Sequence, residues 1–378
     1  MITGHQEADQ LIEKLKSEGK KALVYAGFDP TGNSLHLGHL GVLSLMEKFQ
    51  SAGHKVVAII GTGTAFIGDP TGKNEMRKML DDTDIESNAK GIENDIDRVL
   101  PYVQFIRNDW LRKLNLQDFL REAGSRIPLN DILNLSIVKT RLESGAGITL
   151  MEAIYPVLQG WDMVVMGGMA QSCGLDSVIQ IGGTDQTGNI ALGIHLSSRL
   201  VDGIDPIGVL SPLIVTSSGV KMGKSAGNAL FLNPSLTDDL IFFDSIISMP
   251  DDLIPSMVDV LMPCLDKSAP IQKIKKALAI GLTAWVRGDD VVENILKIKS
   301  SGLEAGDLPI HEFDHGISLA AILLNTRIAE SLSDARRLIR HNGVKIDGVT
   351  VIDTSLIPEL GSFVLSKGKK THIKVVIK

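Results

Sequence analysis

Two short clusters in this 378-residue chain carry residue types able to handle phosphate. The first is Tyr25-Ala-Gly-Phe-Asp-Pro-Thr-Gly-Asn-Ser-Leu-His36-Leu-Gly-His39; the second is Lys221-Met-Gly-Lys224-Ser225. The first reads as a buried strand over Ala22 to Phe28, a Pro/Gly/Asn turn, and a helix opening at Ser34 or His36. Residues three apart lie on one side of a helical turn, so His36 and His39 share a face. A helix N-terminus offers free N–H groups and partial positive charge, which suits a triphosphate. The second cluster sets two lysines in a segment, Thr216 to Asn228, too rich in Gly and Ser to be rigid. A mobile cationic loop facing a fixed phosphate-binding helix is an arrangement for nucleotide activation. Each cluster alone has a plainer explanation. An H-x-x-H pair can ligate metal, but with two cysteines and no C-x-x-C a structural zinc site is not expected. A K-x-x-K-S stretch is commonly a solvated turn.

The elements that must position these residues are legible around them. Residues 22–61 read strand, turn, helix (Leu37 to Ser51), strand (Lys55 to Gly61), with both strands continuously apolar as in a parallel sheet covered on both faces. Such a unit predicts an α/β fold, a doubly wound Rossmann-like sheet with its ligand at the strand C-termini. The sheet resumes at Ser177–Gly183, followed by a helix from about Asn189. The sequence between, from Glu86 to about Leu175, is mostly helical and interrupts the two halves. Residues 231–300 are helical with acidic turns, 301–316 lack periodicity and read as a linker, and 317–378 hold two short helices (Leu319–Leu324, Ser333–His341) and a hairpin with an Asp-Gly turn (Val344 to Val351).

Net charge is −7, which argues against a nucleic-acid partner until its distribution is examined. From Ile317 onward there are ten Lys/Arg against five Asp/Glu, a local +5 on a body carrying −12, as expected of a basic RNA-contacting tail on an acidic enzyme. No apolar run approaches the roughly 20 residues of a membrane helix. The N-terminus lacks the features of a signal or transit peptide, and Cys173 and Cys264 form no recognisable pair. A cytoplasmic protein is expected.

Together and in this order, the two clusters resemble the HIGH and KMSKS signatures of class I aminoacyl-tRNA synthetases, and their flanks resemble the tyrosyl-tRNA synthetases. That resemblance covers nearly the whole chain and implies a domain order: 1–230 the Rossmann-like catalytic domain with its helical insertion, 231–300 a helical anticodon-binding domain, 301–316 a linker, 317–378 a small α+β RNA-binding domain of the α-L type. It implies activation of L-tyrosine by ATP, with magnesium accompanying the nucleotide and no tightly bound cofactor, then transfer to tRNA(Tyr), by a homodimer. Tryptophanyl-tRNA synthetase on the same scaffold and a non-catalytic RNA-binding paralogue are the alternatives.

The spacing of Tyr155, Gln159 and Asp162 puts three hydrogen-bonding side chains on one face of an otherwise apolar helix, where they need partners. By resemblance Tyr155 and Gln159 bind the α-ammonium group of tyrosine, and Asp162 with Tyr25 binds its phenol hydroxyl. Ile67-Gly-Asp69-Pro-Thr-Gly-Lys73 follows a strand but is no P-loop, since Gly68 and Gly72 are four apart and Asn74 follows Lys73. By resemblance Asp69 pairs with the ammonium, while Lys73 and Arg77 reach the leaving pyrophosphate with Lys221, Lys224 and Ser225. Gln180-Ile-Gly-Gly183-Thr-Asp185-Gln186 stands at a strand end, where α/β folds bind ligands. There the resemblance puts Gln180 and Gln186 near the tyrosine carboxylate, Gly183 near adenine or ribose, and Asp185 on the ribose hydroxyls. Gly27, Asp29, Thr31, Gly38 and His39 complete the implied ATP contacts. No metal site is expected. Two positions depart from the family pattern: Thr187, where many relatives carry Trp or Lys, and Gly223, where the class signature has Ser.

Overall fold

The computed structural model describes residues 1–67, 80–143, 145, 147–214, 229–300, 310–347, 349–368 and 371–378. The chain divides into two compact units, Met1–Met222 and Gly223–Lys378.

In the first unit the element order is β1 (Ile2–Gly4), α1 (Ala8–Ser17), β2 (Ala22–Phe28), α2 (Leu40–Ser51), β3 (Lys55–Ile60), α3 (Asp82–Val99), β4 (Gln104–Arg107), α4 (Leu116–Glu122), α5 (Leu129–Leu133), α6 (Ser136–Glu143), α7 (Leu150–Ser172), β5 (Ser177–Gly183), α8 (Thr187–Leu200) and β6 (Asp205–Ser211). Among the described residues six strands form one sheet in the order β1-β6-β5-β2-β3-β4, and all pair in parallel. The chain leaves β2 toward β3 and β4 on one side and returns to β5 and β6 on the other. The strand order therefore reverses between β2 and β5, where α/β sheets open a crevice at the carboxyl ends. Tyr25 of β2 pairs with Gln180 of β5 across that seam.

The continuous apolar runs of β2, β3 and β5 are buried as their composition demands, except at their carboxyl ends: Gly27, the penultimate residue of β2, is exposed between buried neighbours, and Gly182 and Gly183 of β5 are half-buried. The expected helix over Leu37 to Ser51 is a 3-10 turn at Leu37–His39 running into α2. The helix expected from Asn189 starts at Thr187. Three strands, β1, β4 and β6, are absent from the sequence reading. Each of β1 and β4 is an edge strand of three or four residues, too short to show a period. In β6 the run Asp-Pro-Ile-Gly-Val-Leu-Ser mixes strand formers with breakers.

The long helix α7 opens on a capping box. Thr149 Oγ1 accepts from the Glu152 N–H at 3.2 Å and Glu152 Oε2 accepts from the Thr149 N–H at 2.9 Å. It crosses α8 at a pair of glycines: a Cβ on Gly193 would lie 3.3 Å from Met163 Cβ, and one on Gly160 3.3 Å from the Gly193 nitrogen, so the two helices pack closely here. Met163, Met166 and Ala170 of α7 fill the layer under β2 and β3, against Leu23, Tyr25, Val57 and Ile59. That packing fixes the face of α7 bearing Tyr155 and Asp162 against the sheet.

The second unit begins with four helices, α9 (Asp239–Ile247), α10 (Ile254–Leu261), α11 (Ile271–Arg287) and α12 (Asp289–Ser300). It continues with β7 (Ile310–Phe313), α13 (Leu319–Asn325), α14 (Leu332–Arg340), β8 (Val344–Ile346), β9 (Val349–Thr350), β10 (Gly361–Lys367) and β11 (Thr371–Ile377), a sheet ordered β7-β11-β10-β8-β9. Residues 310–313, expected to be linker, are the edge strand β7, paired in parallel with β11. Four residues without hydrophobic alternation of their own become a strand because β11 supplies the ladder. Asp347 takes the left-handed φ of +47° at the hairpin between β8 and β9, as Asp-Gly turns require.

Candidate active site

At the switch point β2, the ends of β3, β4 and β5 and the stretch of α7 from Tyr155 to Asp162 bring together residues distant in the chain. Asp162 and Tyr25 are both buried. The Asp162 carboxylate accepts from Trp110 Nε1 at 2.9 Å on one oxygen and from Asn108 Nδ2 at 3.2 Å on the other. Burial pushes its pKa up to about 7; these two donors hold it back, and the nearby charge of Asp29 adds to the rise. The Tyr25 hydroxyl is raised well above 10, by burial first and then by Asp162. Among the described residues it finds no hydrogen-bond partner, nor does Gln180 Oε1. A buried polar atom left unpaired costs about 1–3 kcal/mol, so these two are oriented for a ligand rather than for the fold.

Asp29, at the end of β2, accepts from Tyr155 Oη at 2.7 Å and from Thr64 Oγ1 at 2.7 Å. Thr64 Oγ1 in turn accepts from Asn108 Nδ2 at 3.2 Å, and Asn108 Oδ1 takes the Gly63 N–H at 2.7 Å. One hydrogen-bonded chain therefore runs from Tyr155 through Asp29, Thr64 and Asn108 to Asp162. Gly61 makes room for it, because a Cβ there would collide with the Asp29 carboxylate. On the opposite wall Asn189 Nδ2 ties Gln159 Oε1 (2.9 Å) to Gln186 Oε1 (3.0 Å), which locks two amides of the expected tyrosine site in one orientation.

The side expected to take the nucleotide lies beyond Gly27. Among the described residues a Cβ built on Gly27 meets nothing within 4 Å, so the strand end faces open space there. Thr31 closes the following turn through its N–H to the Asp29 carbonyl at 2.7 Å. The His36 and His39 rings stand 4.1 Å apart. His36 is the N-cap, its Nδ1 accepting from the Gly38 N–H at 3.1 Å, and His39 Nδ1 accepts from the His36 N–H at 3.1 Å. With each Nδ1 occupied as an acceptor, a neutral ring carries its proton on Nε2 as a donor. Two such donors at a helix entry are chemically suited to an anion. Ser34, the other candidate for the helix start, instead gives its hydroxyl to Asp95. Gly183 and Asp185 adjoin at the end of β5, where a Cβ on Gly183 would come within 2.5 Å of Asp185 Oδ1. Thr187 donates to the Thr184 carbonyl at 2.6 Å, so the departure there closes a local turn. Asp69, Lys73, Arg77, Lys221, Lys224, Ser225 and Gly223 lie outside the described residues.

Four residues of this constellation escape a reading of the sequence: Thr64, Asn108, Trp110 and Asn189. Asn108 directly follows β4, so recognising that strand would have marked it by the same strand-end rule that marks Gln180 and Asp185. Among the described residues no group of His, Cys, Asp and Glu could hold a metal ion.

Residues 16–278 match the family model of the class I tRNA synthetases (W and Y). The tyrosine–tRNA ligase of Clostridium beijerinckii is 33 % identical over 403 aligned positions, spanning 100 % of this chain and 96 % of its own length. That of Rickettsia felis is 34 % identical over 386 positions, 94 % of this chain and 92 % of its own. A C-terminally truncated mitochondrial tyrosyl-tRNA synthetase of Aspergillus nidulans shares the fold with a TM-score of 0.63 at 22 % identity, covering 79 % of this chain and 97 % of that one. With a family model spanning most of the chain and full-length relatives at a third identity, the chain belongs to the class I tRNA synthetases of the tryptophan and tyrosine branch.

Proposed function

We propose that this chain is a tyrosine–tRNA ligase: the carboxylate of L-tyrosine attacks the α-phosphate of ATP, pyrophosphate leaves, and the tyrosyl group then passes to the terminal adenosine of tRNA(Tyr). The observation that carries the choice of amino acid is the buried pairing of Asp162 with an unpartnered Tyr25 hydroxyl. A phenol hydroxyl donates to Asp162 and accepts from Tyr25 Oη, which satisfies both. The indole N–H of tryptophan can only donate and would leave Tyr25 unpaired; phenylalanine pairs neither. A site built on a substrate hydroxyl rejects the analogue that lacks it, by about 10⁵-fold for phenylalanine in tyrosyl-tRNA synthetases.

No side chain need act as nucleophile or base; positioning and charge stabilisation suffice. Tyr155, Gln159 and Asp69 take the ammonium group, Gln180 and Gln186 flank the carboxylate, and Gly27 lets the nucleotide lie against β2. Asp29 and Thr31, with Gly38, border the phosphates, Gly183 and Asp185 the adenosine. His36 and His39 offer Nε2–H to charge developing on the phosphates, and Lys73, Arg77, Lys221, Lys224 and Ser225 close on the departing pyrophosphate, with magnesium arriving on ATP. The exposed face of α14, carrying Arg336, Arg337 and Arg340, with Lys345 of β8, supports a tRNA-binding role for the C-terminal domain from 317, and the helices α9–α12 before it are assigned the anticodon side. Leu116 (67 % exposed), Leu129 (63 %) and Leu150 (81 %), on three helices of the insertion, are the kind of apolar surface a homodimer buries. No described helix is long and apolar enough to cross a membrane, and the working compartment proposed is the cytoplasm. ATP–pyrophosphate exchange with tyrosine, tryptophan and phenylalanine tests the reading. Exchange driven by tyrosine alone supports it, exchange driven by tryptophan transfers the chain to the sister enzyme, and no exchange with any of them makes it a non-catalytic paralogue.

A further inference from the structure

Helix α3 lies outside the sheet, and one of its faces is devoted to the turn that carries the histidines. Asn88, Gly91 and Asp95 stand three and four residues apart, in line on that face. Asn88 Nδ2 donates to the Pro30 carbonyl at 3.1 Å. At Gly91 the backbone of α3 meets that of Asn33 so closely that a Cβ would collide with the Asn33 carbonyl oxygen. Asp95 is 1 % exposed, the one acidic residue among the buried positions of α3. Its Oδ2 accepts from Ser34 Oγ at 2.6 Å and from the Leu35 N–H at 2.9 Å, while Arg98 stands 3.4 Å from its Oδ1. Leu35 directly precedes His36, and both Leu35 and Leu37 are buried. The carboxylate thus holds the backbone from which the first histidine leaves the turn.

We propose that Asp95 is a positioning residue for adenylate formation, acting through His36: by anchoring Ser34 and Leu35 it sets the direction in which His36 and His39 present their Nε2 donors. This rests on the reading of the chain as a ligase that activates tyrosine with ATP. The plainer account is that Asp95 only satisfies the Ser34 and Leu35 donors and stabilises the fold. The two accounts separate because Asp95 holds the histidine turn through Ser34 and Leu35, whereas Asp162 of the tyrosine pocket is held by Asn108 and Trp110.

The test is single-turnover adenylate formation at varied ATP, beside equilibrium binding of tyrosine alone, for Asp95→Ala, Asp95→Asn and Ser34→Ala, each with His36 intact and in a His36→Ala background. A displacement of the histidine turn by about 1 Å predicts a loss of about 10- to 100-fold in activation rate for Asp95→Ala, with tyrosine affinity within about twofold. Asp95→Asn, which keeps an acceptor, should recover part of that loss. In the His36→Ala background the same change should lose less than about threefold more, since two residues acting as one unit are not additive. Should Asp95→Ala not fold, Ser34→Ala removes one donor and keeps the carboxylate paired with Leu35 and Arg98; it should slow activation about 3- to 10-fold with the same non-additivity. Full multiplication with His36→Ala, a parallel fall in tyrosine affinity, or wild-type rates for the variants would overturn the proposal. Failure of the unmodified protein to form adenylate would overturn the ligase reading instead, so the two failures are told apart by the wild type.

Discussion

Replacing Asp162 by Asn tests the phenol-recognition geometry most directly. Asp162 receives Trp110 Nε1–H on one oxygen and Asn108 Nδ2–H on the other, so its remaining accepting capacity is what a substrate hydroxyl meets. An amide at this position keeps one accepting oxygen and turns the other atom into a donor, which then faces either the indole N–H or the Asn108 amide. The substrate loses a hydrogen bond to a charged acceptor, about 1.5–3 kcal/mol, or about 10- to 150-fold in kcat/KM for tyrosine. Phenylalanine has no hydroxyl to lose, and its kcat/KM should stay within about threefold. Discrimination between the two should therefore collapse by nearly the full loss seen with tyrosine. ATP–pyrophosphate exchange at varied amino acid gives both values on one preparation, and thermal unfolding checks that the Asn108 and Trp110 contacts have not unmade the fold. Equal losses for tyrosine and phenylalanine would refute the reasoning and leave Asp162 a structural carboxylate.

Three further outcomes follow from the same geometry. Because burial lifts the Asp162 pKa to about 7 from 3.8, the folded protein retains a proton there that the unfolded chain has lost; the group contributes stability that fades as pH rises through that window. A phenol donor selects the ionised form, so tyrosine affinity measured by equilibrium dialysis should weaken about tenfold per unit below pH 7, while Asp162→Asn shows no such dependence; a flat wild-type profile contradicts the assignment. Gly27→Val adds a side chain where nothing lies within 4 Å, so the melting temperature should hold while adenylate formation falls by about two orders of magnitude through exclusion of the nucleotide; retained activation would remove Gly27 from the site. A chain ending at Ser300, which removes β7 together with the rest of its sheet, should still exchange pyrophosphate with tyrosine but charge tRNA poorly and with a shallower salt dependence. Intact charging at physiological salt would contradict an RNA-binding tail.

Much of the site could be read because its determinants are local. The seven residues of β2, the turn to His36 and His39, and the Tyr155–Gln159–Asp162 stripe on α7 follow from periodicity, breakers and spacing within about a dozen residues. Likewise the Gly-Gly-Thr-Asp-Gln segment announces a ligand-facing strand end at β5 without reference to any other part of the chain. What each residue would do with a substrate came from resemblance to a family, since spacing alone does not tell an ammonium site from a carboxylate site.

Tertiary structure decided the rest. Strands β1 and β4 exist because a neighbouring strand completes their ladders, and β7 because β11 does the same; three or four residues carry too little period to be told from coil. The contacts that tune the site span long separations: Asn108 reaches Asp162 across 54 residues, Tyr155 reaches Asp29 across 126, and Leu35 reaches Asp95 across 60. No local pattern encodes those partners. A buried carboxylate such as Asp95 looks, in sequence, like any polar residue on a helix. Only the packing of α3 against the turn excludes water from it and makes its hydrogen bonds to Ser34 and Leu35 obligatory. The sequence by itself determined which residue types stand at the strand ends. The fold decided which of them share a buried space, because burial, and with it the value of each hydrogen bond, is a property of the packed chain.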